Sequence, residues 1–195
     1  TSGTIIFDGR TITGMREDKI AKRGVGRKFQ VPAVFKELTV RDNLQVALNK
    51  NTDPFANMFR FGYKEGRERL QQVVELAGLQ DRLDELGGNL SHGETQWLEI
   101  GMVLTQNPKL LLMDEPTAGM TEQETQKTSE IFNRLKGDHT LIVVEHDMAF
   151  VREIADVITL MHLGKTLAEG PMEEVENDPK VIEVYLGSAG ITHAA

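Results

Sequence analysis

Apolar positions along the chain change their spacing several times, and each change marks a different kind of element. Two short β-prone runs, Thr4-Ile5-Ile6-Phe7 and Arg10-Thr11-Ile12, flank Asp8-Gly9, a dipeptide suited to the two-residue turn of an antiparallel hairpin. From Val40 to about Leu86 the spacing is helical: Leu44, Ala47 and Leu48, then Leu70, Val73, Val74 and Ala77 recur every three or four residues, with a break from Asn51 to Tyr63. This stretch predicts a small helical lobe.

Two continuous apolar runs follow, Leu110-Leu111-Leu112-Met113 and Leu141-Ile142-Val143-Val144. Neither alternates between apolar and polar, so both read as strands buried on two faces, the pattern of a parallel sheet. Between them Thr121-Glu122-Gln123-Glu124 is a capping box that opens a helix through Ile131, Phe132 and Leu135 and stops near Gly137, completing a βαβ unit. A second hairpin is expected over Val157 to Leu167 around Leu163-Gly164, then helical stretches near Met172 to Glu176 and Pro179 to Leu186. The tail from Gly187 reads as disordered. The fold class is therefore α/β, divided as 1–39, a hairpin portion of the core; 40–89, the helical lobe; 90–187, the α/β core; and 188–195, a disordered tail.

Composition bounds the function. With 195 residues and 39% hydrophobic content the chain can bury one sizeable core, or one core with a smaller lobe. The net charge of -8 argues against non-specific attraction to nucleic acid or to an anionic lipid surface, so membrane contact is expected through protein partners. The absence of cysteine excludes a disulfide scaffold and fits a reducing cytoplasm. No apolar run reaches the roughly 18 residues of a transmembrane helix. Thr1-Ser2-Gly3 carries neither an initiator methionine nor a signal pattern, and the expectation is that the chain starts within a domain.

The chemistry gathers at strand ends. Asp114-Glu115-Pro116 puts two carboxylates at the carboxyl end of a buried strand, where open α/β sheets bind ligands. Asp114 suits the water shell of Mg²⁺ and Glu115 suits activation of a water, although a solvated turn before proline has the same composition. The second strand ends in Glu145-His146-Asp147, and a right-handed crossover delivers His146 to the same sheet edge as Glu115. A lone strand-end histidine is more often structural; its position relative to Glu115 favours contact with a phosphate or a water. Ser91 and Glu94 form a capping box, which by itself marks a helix start; Gly93 between them would let a phosphate approach free backbone N–H groups. Gln30, where Lys28-Phe29-Gln30 meets Val31-Pro32, has no meaning on its own.

Taken in order, Gln30, the Leu90-to-Gln96 stretch, Leu110-to-Glu115 and His146 resemble the Q-loop, signature, Walker B and H-loop of ABC ATPases, and the resemblance covers essentially the whole chain. It implies a partial P-loop NTPase fold that uses ATP and Mg²⁺. Gln30 would contact Mg²⁺ and the attacking water, Asp114 would support Mg²⁺, and Glu115 would be the general base. His146 would contact the γ-phosphate, and Ser91 and Gly93 would complete the ATP site of a second ATPase subunit in a head-to-tail dimer. The implied partners are transmembrane permease subunits, and the implied place is the cytoplasmic, inner face of the cell membrane. Leu90-Ser91-His92-Gly93-Glu94, Pro116 to Thr121, Val144 to Met148 and Val184-Tyr185-Leu186-Gly187 resemble subunits of branched-chain amino acid and urea importers. His92 and the run Trp97 to Met102 favour the urea branch.

Three departures qualify what the resemblance implies. The sequence holds no G-x-x-x-x-G-K-[ST] run, the Walker A phosphate loop. Thr121 stands at the place of the D-loop aspartate, and Glu94 stands where the signature usually has glutamine, adding negative charge near the expected phosphate. The leading expectation is an importer ATPase whose chain, as it stands, is inactive alone. The alternatives are a non-transport ABC ATPase, which should show coiled-coil heptads or a basic face, and a non-catalytic interaction fragment.

Overall fold

The computed structural model describes residues 3–28, 33–48 and 64–189, with side chains from 66 to 184 in the last span. Gln30, the Asn51-to-Tyr63 interruption and residues 190–195 lie outside the described residues. The chain divides into two compact units, Thr1–His146 and Asp147–Ala195.

In the first unit β1 (Ile6–Phe7) and β2 (Arg10–Thr11) pair antiparallel. Asp8 and Gly9 between them have φ of 50° and 71°, the left-handed pair that a tight hairpin turn requires. Helix α1 (Glu17–Lys22) follows and has no buried residue, which is why no apolar stripe announces it. Strand β3 (Val25–Lys28) then opens a parallel sheet of order β3, β4 (Leu110–Asp114), β5 (Thr140–Val144). Helices α2 (Val40–Leu48) and α3 (Lys64–Ala77) pack on the long helix α4 (His92–Leu104), and α5 (Glu122–Leu135) connects β4 to β5. The expected helical region and the βαβ unit are therefore both present.

Caps explain where the two long helices start. Ser91 Oγ accepts from Glu94 N while Glu94 Oε2 accepts from Ser91 N, and Thr121 and Glu124 repeat the arrangement at α5. Each cap contributes roughly 1 kcal/mol. The two helices are joined by Trp97, whose indole N–H donates to the buried Thr128 hydroxyl at 3.0 Å, with the Lys127 ammonium 3.6 Å from the ring centroid. Helix α4 also lies on β3: a Cβ on Gly26 would come within 2.6 Å of Val103 Cγ1, so only glycine admits this approach.

One sequence expectation fails here. β4 is largely covered, but β5 alternates, with Ile142 53% and Val144 60% exposed, so it is not buried on two faces. Its inward positions, Leu141 and Val143, are half-buried, while Ile142 and Val144 on the other face are largely open.

In the second unit, α6 (Met148–Ile154) is capped by Asp147, whose carboxylate accepts from Ala149 N and Phe150 N. β6 (Ile158–His162) and β7 (Lys165–Gly170) form the expected hairpin, with Leu163 and Gly164 at φ of 49° and 75°. Helices α7 (Met172–Glu176) and α8 (Pro179–Ala189) pack on β7. Helix α8 runs past Gly187, where the sequence pattern had set the start of the tail.

Candidate active site

The site is built on the last rung of the parallel ladder. Asp114 pairs with Val144, and one residue further on the Glu115 N–H still donates to Val144 O at 2.9 Å. To keep that bond as the strand ends, Glu115 adopts a φ of 44°, a left-handed conformation costing a non-glycine residue about 1–3 kcal/mol. The turn closes behind it with Ala118 N donating to Glu115 O at 3.2 Å. The Glu115 carboxylate then lies 3.6 Å from His146 Nδ1, with the histidine side chain 77% and the glutamate 39% exposed. The crossover thus brings these two predicted residues together, open to solvent.

A residue that the motif reading passed over holds this geometry. The Glu145 side chain is 1% exposed. Its Oε1 accepts from Thr117 N at 3.0 Å and from the Thr117 hydroxyl at 2.6 Å, and its Oε2 accepts from His146 N at 3.1 Å. One buried carboxylate therefore ties the turn after Glu115 to the backbone of His146. Continuing the inward positions Leu141 and Val143 by two residues lands on Glu145, so strand period was the signal that could have found it.

At the start of α4 the Gly93 N–H and the Ser91 hydroxyl both reach Glu124 Oε1, at 3.2 and 3.4 Å. A Cβ on Gly93 would displace that carboxylate from its present place. These contacts and the Thr121 N–H hold the Glu124 carboxyl below the usual carboxylate range, the Thr121 bond contributing most. The donor set fits an anion, since a carboxylate already sits on it. His92 is tied across to the turn after Glu115, its Nε2 2.9 Å from Ala118 O, and Gly119 gives its ring room. The extra charge of Glu94 is offset by Arg82, whose Nε lies 2.9 Å from Glu94 Oε1.

Asp114 ends β4 half-buried, and among the described residues its carboxylate accepts no hydrogen bond. It is available as an oxygen ligand of the hard, hydrated kind that Mg²⁺ takes. No cluster of three or more metal-binding side chains occurs among the described residues. The Lys28 ammonium is buried within the field of Glu99, Asp114 and Glu145. No helix among the described residues is long and apolar enough to cross a membrane.

Known proteins resemble this chain in sequence and in fold. Residues 1–118 match the ABC transporter family, and residues 165–191 match the branched-chain amino acid ATP-binding cassette transporter family. The chain is 35% identical to the high-affinity branched-chain amino acid transport ATP-binding protein BraF of Pseudomonas aeruginosa, over 97% of this chain and 78% of that protein. It is 34% identical to the phosphate import ATP-binding protein PstB of Thermococcus kodakarensis, over 96% of this chain and 74% of the relative. Among solved structures, an ATP-binding cassette of an ABC transporter in its ADP conformation superposes with a TM-score of 0.77 at 29% identity, covering 95% of this chain and 77% of that one. A nucleotide-free cassette superposes with a TM-score of 0.74 at 31% identity, covering 94% and 77%. The helix-flanked parallel sheet, its strand-end carboxylates and these matches agree: the chain belongs to the ABC transporter family, as an ATP-binding subunit of the branched-chain amino acid importer type.

Proposed function

We propose that this subunit supplies the hydrolytic machinery of an importer, with Glu115 as general base and His146 beside it as the group that meets the γ-phosphate. The observation that carries the reading is the 3.6 Å approach of Glu115 to His146, made from two neighbouring parallel strand ends with Glu115 held at a strained φ. Glu115 is half-exposed, so a water can reach its carboxylate and give up a proton to it. His146 Nδ1 faces the carboxylate, which orients the imidazole and leaves its other nitrogen for a phosphate oxygen. Asp114 would hold Mg²⁺ together with Gln30, the ion supplying positive charge against the phosphates. Ser91 and Gly93 would meet the nucleotide of a second ATPase subunit; Glu124 gives way as the phosphate, carrying more charge, takes the helix N-terminus.

In this reading Glu145 is a positioning residue, and transmembrane permease subunits hold the ATPase at the inner face of the membrane. Between the urea and branched-chain amino acid branches, the urea branch is favoured by the resemblance of His92 and the run Trp97 to Met102. The chain as it stands lacks the phosphate-loop motif and does not hydrolyse ATP alone, because its remaining groups address a phosphate that must already be anchored.

In the complete importer, Glu115→Gln should abolish ATP turnover while ATP-driven subunit dimers persist on size exclusion; unchanged hydrolysis removes Glu115 from the base role. The isolated chain should show no Mg-ATP heat in titration calorimetry, and micromolar affinity would overturn its inactivity. Reconstituted with its permease and solute receptor, the subunit should hydrolyse ATP faster with urea than with leucine; stimulation by leucine alone assigns the amino acid branch instead. Glu145→Ala strands the buried Thr117 donors and should lower stability by about 2 kcal/mol in urea titrations, with Glu145→Gln losing less than half of that. A loss below about 0.5 kcal/mol would mean that those bonds do not hold the turn.

A further inference from the structure

We propose that Glu99, in the middle of α4, is a positioning residue that holds both flanks of residues 29–32 at once, with Lys28 as its buried counter-charge. Strand β3 ends at Lys28, and the described chain resumes at Ala33. Glu99 Oε1 accepts a hydrogen bond from Ala33 N at 2.5 Å. Its Oε2 lies 3.7 Å from Lys28 Nζ, an ion-pair contact longer than a hydrogen bond. The two side chains are 2% and 6% exposed. A single carboxylate on one helix thus touches the residue before and the residue after the same short span.

Stability does not account for the pair. Burial pushes the Glu99 carboxyl above the usual carboxylate range, with the Ala33 N–H and the Lys28 charge working in the opposite direction. Apolar side chains of similar volume generally fill such a place without loss. What the charged pair supplies is direction: an acceptor aimed at Ala33 N–H and a fixed point for the ammonium. Beyond Ala33 a second buried side chain continues the hold. Asn43, fully buried on α2, accepts from Phe35 N through Oδ1 and donates through Nδ2 to Phe35 O, Leu38 O and Thr39 O. The chain leaving the span is therefore set by α4 first and α2 second.

The consequence for the site rests on the preceding functional reading, in which Gln30 works with Asp114 and Glu115. Glu99 stands eight residues, about two helical turns, after Ser91 on the same helix. Lys28, Ala33 and the helix that presents Ser91 and Gly93 then share one anchor.

Amide hydrogen exchange on the full chain tests the hold without nucleotide or permease. Glu99→Leu should speed exchange of the Ala33 amide more than tenfold while Leu111 and Met113 in β4 exchange as in the parent. Glu99→Gln keeps an Oε1 acceptor and should restore Ala33 to within about threefold of the parent. Should Glu99→Leu unfold because Lys28 is left buried and unpaired, the Lys28→Met/Glu99→Leu double variant removes both charges and should give the same selective loss at Ala33. An Ala33 amide still protected in a folded Glu99→Leu chain or double variant overturns the proposal. So does acceleration of Ala33 in step with Leu111 and Met113. Because ATP is not involved, failure here leaves the hydrolytic reading intact, and failure of that reading leaves the two contacts to be judged on their own.

Discussion

The register of β4 against β5 is the constraint on which the rest of the site depends. Pairing Asp114 with Val144 leaves Val144 O free to receive Glu115 N–H, and that bond turns the glutamate into its left-handed conformation. The same register puts Glu145, the next inward position of β5, under the turn that follows Glu115. Because strand side chains alternate with a period of two, a slip of one residue would send Glu145 to the open face and withdraw its bonds to Thr117. The backbone strain at Glu115 persists because the Val144 carbonyl and the buried Glu145 act on the same turn.

Each buried or enclosed carboxylate has more than one partner, as desolvation demands. An isolated buried charge is costly, and these carboxylates offset it with hydrogen bonds or, for the Glu99 Oε2 that accepts none, with an ion pair 3.7 Å away. Glu145 divides its oxygens between Thr117 and His146, and Glu99 divides its own between Ala33 and Lys28. Glu124 uses one oxygen for the cap of α5 and the other for the start of α4. In the last arrangement the Ser91 and Gly93 donors already carry a carboxylate, so in the proposed function an incoming phosphate would exchange with Glu124.

The patterns most legible in the sequence were those set by neighbours in the chain. Both capping boxes, the tight turns at Asp8-Gly9 and Leu163-Gly164, and the two apolar strands were read from local spacing, and the strand-end order placed Glu115 near His146. Helix α1 was missed because it buries nothing, and β5 was read as covered on both faces because an apolar run does not reveal what stands opposite it. Glu99, Glu124 and His92 were read as members of helices or motifs, without partners. Their partners lie 66, 31 and 26 residues away.

The sequence by itself determined the two hairpins, the capped helices, the βαβ unit and the identity of the groups at the strand ends, since propensity, capping and periodicity act over a few residues. Only the tertiary structure decided which charges face one another. That Glu145 grips Thr117, that Glu124 covers Ser91 and Gly93, and that Glu99 spans Lys28 and Ala33 follow from strand register and helix packing, which bring together residues whose spacing along the chain carries no trace of the contact.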